Sequence, residues 1–380
     1  MKLVAPFGFY GAGNIGDEST LQGFARLLGS FPGRNHAWVA SRDPAHTRRV
    51  ERAFGYFRAE SQDWRRRWAW MTGNAVVFPG GTPVMDALGR WPFSELVPLI
   101  ERARVESKPI AFVGTGTERL RNADSRRIMA QEIIPHVTQW TVRSTRDRDR
   151  LLEYGVDPSA VTPTADLAWL LDAAPVDTGR AMLERLGVDV SRPLVGVNVN
   201  IEHFVREQQP HLLTAIAAFL DGLVRSRGVH VIFLCNEVRD GSTYDLAASQ
   251  ELIASMAQRE ATTIVPNEYY APQVMLSLIG CCRATVSTRY HFCLFSALQR
   301  VPFLAVQRSD KVADLCSDLG WPHGVGLPEL GAERLAQEYA AIDAGHGALR
   351  EQMDRTVLEM RRRSETNQIA LRRLAERIGR

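Results

Sequence analysis

Short apolar runs that end in glycine or a charged residue, each followed by apolar positions at helical spacing, recur along the whole chain. In the first half, residues 2–10, 36–41, 75–78, 109–113 and 138–142 read as strands, and Leu21, Phe24, Ala25 and Leu28 mark an amphipathic helix after the first. In the second half, 194–200, 229–234, 262–265, 285–287 and 301–306 read as strands. Helical spacing follows at 212–224, 246–256, 274–279 and 312–319, and Leu294, Phe295 and Leu298 start a helix straight after 285–287. Repeated strand–helix units imply parallel, doubly wound sheets. Right-handed crossovers then put every strand-to-helix turn on one edge. The expected fold class is α/β: two doubly wound Rossmann-like domains facing across a cleft, a GT-B-like arrangement.

The expected boundaries follow composition. Residues 1–172 form the N-terminal α/β domain, and 173–192, rich in Ala, Pro, Asp and Gly around a short helix, form a linker. Residues 193–345 form the C-terminal α/β domain, and 346–380 a basic helix. Its Arg361-Arg362-Arg363 and Arg372-Arg373 runs read as a solvated face.

Composition narrows the classes. The 380 residues are 45% hydrophobic and 23% charged, ordinary for a globular protein with two cores. A net charge of +3 is too mild to argue for nucleic acid, and no nucleic-acid-binding motif is present. No apolar run is long enough to span a bilayer, and the first ten residues do not read as a signal peptide. The five cysteines form no C-x-x-C pair, and no His cluster has zinc spacing. They read as reduced, mostly buried thiols of a cytoplasmic protein, with no metal and no cofactor expected. One stretch bears on partners. Trp64-Arg65-Arg66-Arg67-Trp68-Ala69-Trp70 reads first as a surface helix with its tryptophans packed inward. Its other reading is peripheral docking at an anionic membrane.

The candidate chemistry sits on the turns. Arg289 and His291 fall where the strand at 285–287 meets its helix. In an open parallel sheet that is where ligands bind, and a helix N-terminus adds partial positive charge. The plainer alternatives are a helix cap or an ion pair with a surface carboxylate. Gly11-Ala12-Gly13-Asn14-Ile15-Gly16 matches a dinucleotide-binding pattern in form. Asp17 and Glu18 follow at the helix start, where they repel a pyrophosphate and suit hydroxyl groups or proton removal. Their plainer role is to complement the helix dipole. Gly80-Gly81 with Asp86, and Gly114 with Gly116, end two further strands. Arg143 ends a third, as an anion binder or as the ion-pair partner of Asp147 or Asp149.

Taken in order, these turns resemble the polysaccharide pyruvyl transferase family. The family's G-x-x-N-x-G-D-E opening is similar to Gly11 through Glu18. Its G-G-x-x-x-x-D turn resembles Gly80, Gly81 and Asp86, and its G-x-G turn resembles Gly114 and Gly116. Its V-R-D segment resembles Val142-Arg143, its A-D-P-A segment Ala165-Asp166-Leu167-Ala168, and its R-L-H with a downstream lysine Arg289-Tyr290-His291 with Lys311. Ser144 stands where the family usually has Asp, Leu167 where it has Pro, and Tyr290 where it has Leu. Thr117-Glu118 replaces the residues that often follow the G-x-G.

The resemblance implies phosphoenolpyruvate as donor, a sugar hydroxyl pair as acceptor, and a pyruvate ketal as product. Arg143, Arg289 and Lys311 are the implied donor-binding cations, suited to a carboxylate and a phosphate on one small frame. His291 is the implied general acid, and Asp17 the base or an acceptor-orienting group. A sugar or lipid-linked oligosaccharide acceptor is expected, and the lipid-linked case puts the protein at the inner face of the plasma membrane. The alternative activities are a nucleotide-sugar glycosyltransferase of the same architecture, with Glu237 or Asp240 on a ribose, a nicotinamide oxidoreductase, and a non-catalytic binding module.

Overall fold

Seven strands make the first sheet: β1 (Lys2–Ala5), β2 (His36–Ser41), β3 (Gly55–Arg58), β4 (Ala75–Pro79), β5 (Ile110–Thr115), β6 (Gln139–Val142) and β7 (Val161–Pro163). The structure is a computed structural model, and it describes residues 1–201, 206–207, 209–239, 241 and 244–379. The sheet order is β3-β2-β1-β4-β5-β6-β7, with parallel neighbours throughout. β1 stops short of Pro6, which has no N–H to give to a ladder. Apolar strands buried on both faces require cover on both. One face carries Phe78, Phe112 and Trp140, stacked with ring centroids 4.6 and 4.1 Å apart. The other packs Leu21, Phe24 and Leu28 of the helix Ile15–Ser30 with Ala370, Leu371 and Leu374. Each sheet reverses its winding beside its first strand; here that point lies at β1 and β4.

The second sheet has six strands: β8 (Leu194–Asn198), β9 (His230–Phe233), β10 (Thr262–Ile264), β11 (Ala284–Ser287), β12 (Phe303–Gln307) and β13 (Gly324–Gly326). Its order is β10-β9-β8-β11-β12-β13, again parallel. Winding reverses at β8 and β11. Glycine suits β8 because Thr285 of the neighbouring strand β11, and Cys282 just before it, press on Gly196.

The chain divides into two compact units: residues 1–12, 17–171 and 359–380, and residues 13–16 and 172–358. Two sequence expectations change. Within 173–192, read as a linker, the helix Asp177–Arg185 packs on the helix Pro272–Gly280 so tightly that Gly179 meets the Ser277 backbone. The C-terminal tail is two helices, His346–Glu365 and Gln368–Ile378. Its basic face is solvated only in part: Arg362, Arg372 and Arg373 are exposed, as expected, but the other two arginines are not. Arg361 and Arg363 donate to the carbonyls of Leu171 and Thr164, and buried Ser364 and Asn367 donate to those of Asp166 and Ala165. Basic side chains here satisfy carbonyls of the first unit that no sheet or helix bond uses.

The helix Trp64–Thr72 divides its tryptophans. Trp70 is fully buried under the guanidinium of Arg102, 4.2 Å from the ring centre, whereas Trp64 and Trp68 face solvent. The described cysteines are all free thiols, buried except for the half-buried Cys281. Among the described residues, no helix is long and apolar enough to cross a membrane, and no cluster of His, Cys, Asp and Glu has metal-binding geometry.

Candidate functional site

In the second unit, the carboxyl ends of β9, β8 and β11 converge on one carboxylate. Asp245 opens the helix Asp245–Ala254 and is fully buried. Its Oδ2 accepts from Asn198 Nδ2 at 2.9 Å, Asn236 N at 2.8 Å and Glu237 N at 3.1 Å. Its Oδ1 accepts from Asn200 Nδ2 at 3.1 Å and from Arg289 Nε and Nη2 at 3.0 and 2.7 Å. A buried carboxylate is tolerated only when so satisfied. Asp245 thereby fixes the guanidinium of Arg289, whose Nη2 also pairs with Glu237. Glu237 in turn pairs with Arg239, which lies over the Tyr244 ring. Arg289 takes the N-cap position of the helix Tyr290–Leu298, but its side chain makes no cap bond and is no surface ion pair. It is a buried cation locked by two buried carboxylates at the point where the sheet reverses its winding, and such points bind ligands in open α/β sheets.

His291 is the second residue of the helix Tyr290–Leu298, half-buried, with Tyr290 edge-on at 5.1 Å and Phe295 at 6.2 Å. Its ring rests on Gly16. A Cβ at Gly16 would stand 2.3 Å from Nδ1 and 2.6 Å from Cγ, so only glycine lets the two approach. The segment Gly13–Gly16 is held along 236–238: Val238 N donates to Gly13 O at 2.8 Å, and Ile15 N to Asn236 O at 2.9 Å. Asn14 Oδ1 accepts from Gly16 N at 2.9 Å and from Asn236 Nδ2 at 3.2 Å. Two motifs read separately in the sequence therefore meet as one cluster in the second unit. Lys311 lies in the first turn of the helix Asp310–Asp318. Just ahead of it, buried Arg308 donates through Nε to Thr288 O at 3.0 Å, next to the Arg289 turn.

In the first unit, the expected residues gather at the strand ends around β1, β4, β5 and β6. Tyr10 OH donates to Pro79 O at 2.6 Å and ties the first loop to the Gly80-Gly81 turn. Burial, then the charges of Asp17 and Glu18, push the Tyr10 phenol well above its ordinary pKa, so it stays a donor. Glu18 is fully buried, and its Oε1 accepts from Gly11 N at 2.7 Å and Thr47 Oγ1 at 3.3 Å. Asp17 is half-buried in the first turn of the same helix. Gly11, Gly13, Gly80, Gly81 and Gly114 all take positive φ. Gly114 marks a register shift between β5 and β6. Asp86 Oδ2 accepts from Arg121 N and Asn122 N at 2.9 and 2.8 Å, which pins the loop after β5.

Arg143 follows β6 and is 6% exposed, with Asp147 and Asp166 at 3.7 and 3.8 Å. Of its two expected ion-pair partners, Asp147 is the one found; Asp149 pairs with Arg148. A Cβ at Gly116 would fall 2.4 Å from the Arg143 Cζ, so Gly116 makes room for the guanidinium. Ser144 shows why Asp is dispensable there. Its Oγ accepts from Asp147 N at 3.0 Å and donates to Asp147 Oδ2 at 2.6 Å, a reciprocal helix cap. Burial pushes the Asp147 carboxyl above the usual carboxylate range, with the charge of Arg143 pulling the other way.

Asp245 and Arg308 are the residues that reading the turns one by one does not single out as functional. Asn198 and Asn200, polar at the end of an apolar strand and two apart, are the signal that buried partners await them. Of the two carboxylates considered for a ribose, Glu237 is engaged by two arginines. Asp240 lies outside the described residues.

Solved structures with this architecture include a glycosyltransferase from Rickettsia africae (TM-score 0.61, 11% identity, 97% of this chain and 98% of that one). A UDP-GlcNAc 2-epimerase from Neisseria meningitidis bound to UDP-GlcNAc aligns with a TM-score of 0.62 at 9% identity, over 99% of this chain and 100% of its own. A MnaA–UDP structure from S. aureus aligns with a TM-score of 0.63 at 10% identity, covering 93% and 90%. At such identities the likeness shows the GT-B fold alone. No curated protein matches the sequence significantly. The family model described as polysaccharide pyruvyl transferase matches residues 14–310, from Asn14 beside Glu237 to the helix start before Lys311. The chain belongs to the polysaccharide pyruvyl transferase family.

Proposed function

We propose that this protein transfers the pyruvyl group of phosphoenolpyruvate onto two hydroxyls of a sugar in a polysaccharide or its precursor, forming a pyruvate ketal. The observation that carries the reading is the second-unit turn, where a fixed guanidinium and an imidazole flank the reversal of the sheet in a member of this family. The donor is a phosphate and a carboxylate on three carbons. Arg289 is charge-balanced by Asp245 and Glu237, with Arg239 on Glu237, so this group of four carries no net charge. Arg308 and Lys311 bring further cations to the adjoining turn, and Arg289 supplies a preset direction. In the first unit, Arg143 keeps its assigned role toward donor anions.

His291 gives a proton to the methylene carbon, which becomes the methyl group and leaves oxocarbenium character at C2. A sugar hydroxyl adds to C2 and loses its proton, with Asp17 the assigned acceptor of that proton. Phosphate departs, a second hydroxyl adds to C2, and its proton leaves with the phosphate. Two hydroxyls and one phosphoenolpyruvate thus give one ketal and one inorganic phosphate.

Calorimetry with phosphoenolpyruvate and with a nucleotide sugar separates this reading from glycosyl transfer. Micromolar binding of phosphoenolpyruvate, kept in His291→Asn but without phosphate release in the presence of acceptor, is the expected result. Binding of the nucleotide sugar alone moves the function to glycosyl transfer on the same fold.

A further inference from the structure

The helix Trp64–Thr72 exposes what a folded protein ordinarily covers. Trp64, Trp68 and Met71 are 67%, 47% and 70% exposed. Their spacing of four and three residues puts them on one stripe, with exposed Arg67 beside it. The opposite side is anchored: Ala69 and Trp70 are buried, and Arg66 donates to the carbonyls of Ala59 and Ser61. The stripe is therefore presented on a fixed helix and does not depend on a frayed end.

Charge decides the occupant. The helix contains three arginines and no carboxylate. The two acids that precede it in sequence are engaged: Asp63 caps the helix through Arg66 N at 3.0 Å, and Glu60 pairs with Arg42 at 2.9 Å. Arg66 is turned inward, Arg65 extends over the Trp64 ring at 5.5 Å, and Arg67 faces solvent. Tryptophan side chains with an apolar body and a polar N–H partition to the headgroup level of a bilayer, and arginine beside them meets lipid phosphate. A second copy of this chain would set the same arginines against each other.

We propose that the Trp64, Trp68 and Met71 stripe, with Arg65 and Arg67, docks the protein on an anionic lipid surface. The observation is independent of the transfer chemistry.

The test uses the full chain with sucrose-loaded vesicles of phosphatidylcholine alone or with about a quarter phosphatidylglycerol. Sedimentation with the anionic vesicles, weakening as salt rises, is expected. Trp64→Ser with Trp68→Ser should lower the partition coefficient at least about tenfold, and Arg65→Gln with Arg67→Gln about twenty-fivefold, at roughly fivefold per arginine. Because the changed side chains are exposed, or in Arg65 half-buried along the Trp64 ring, the circular dichroism melt of each variant should overlay the parent, which separates lost docking from lost fold. Equal binding by parent and tryptophan variant, or no binding to either vesicle, overturns the proposal. A dimer in light scattering that the tryptophan variant converts to monomer also overturns it and gives the stripe to a second copy.

Discussion

Gly16 lies against the imidazole of His291, so closely that one added methyl group would overlap the ring. The contact seats the ring and gives the glycine of the opening motif a role other than phosphate binding. In Gly16→Ala the new Cβ would stand 2.9 Å from His291 Cβ as well as against the ring, so the ring and the start of its helix must shift together, and some loss of second-unit stability should accompany the change. The expected result is a fall in turnover of at least about tenfold from a misplaced proton donor. Phosphoenolpyruvate affinity should change by less. A parent-like rate of ketal formation, followed by the new methyl signal in proton NMR, would show that His291 does not need this seat.

The pairing of Glu237 with Arg289 sets an internal anion where a substrate anion is proposed to go. Glu237→Gln keeps the shape and removes one negative charge from the neutral group of four. Phosphoenolpyruvate should then bind more tightly, by roughly fivefold or more for about 1 kcal/mol of removed repulsion. Calorimetry at fixed ionic strength reads this directly. Weaker binding would mean that Glu237 holds Arg289 in its working direction and does not compete for it.

Asp245 carries more of the second unit than any residue the turns advertise. It accepts six hydrogen bonds from groups at the ends of three strands. Asp245→Asn replaces an acceptor oxygen by a donor that faces other donors, and it strips Arg289 of the carboxylate that accepts from both its Nε and its Nη2. A cost of about 3–5 kcal/mol is expected for breaking a buried pair of this kind. The urea midpoint of the second unit should fall accordingly, and phosphoenolpyruvate binding should fall with it.

How far such residues can be read in advance depends on what pairs them. Arg289, His291 and Arg143 are legible because strand, turn and helix follow one another within a few residues, and a charged residue at that turn has few places to go. Asp245 is not, because its partners Asn198 and Arg289 lie 47 and 44 residues away and only the sheet order brings them together. The same holds for strands. The apolar runs at β1, β4, β5, β8 and β12 announce themselves, whereas β3, β7 and β13 do not. All three are sheet edges, three or four residues long, paired on one side only, and so without a continuous apolar run. The tryptophans of Trp64–Thr72 are a third case. Composition supports both inward packing and surface docking, and the burial of Trp70 with exposure of Trp64 and Trp68 gives each reading part of the helix.

Asp343 gives the second unit an acid-sensitive tie. It lies near the end of the helix Ala332–Ala344 and accepts from Arg283 Nη2 and Arg227 Nη1, each at 2.6 Å. The hydrogen bond from Arg283, with the charges of both arginines, holds its carboxyl below the usual carboxylate range. The sign of the effect follows from the depressed value. The stabilisation is fully present above the unfolded-state pKa of about 3.9 and is lost as pH falls through the lower folded value. Asp343 is 17% exposed and its partners are more open, so solvent screening keeps the tie to about 1 kcal/mol. Asp343→Asn should therefore unfold at lower urea than the parent at pH 7, and the two midpoints should converge below about pH 3. A gap that persists unchanged into acid would mean that the asparagine disturbs packing and that the ion pair itself contributes nothing.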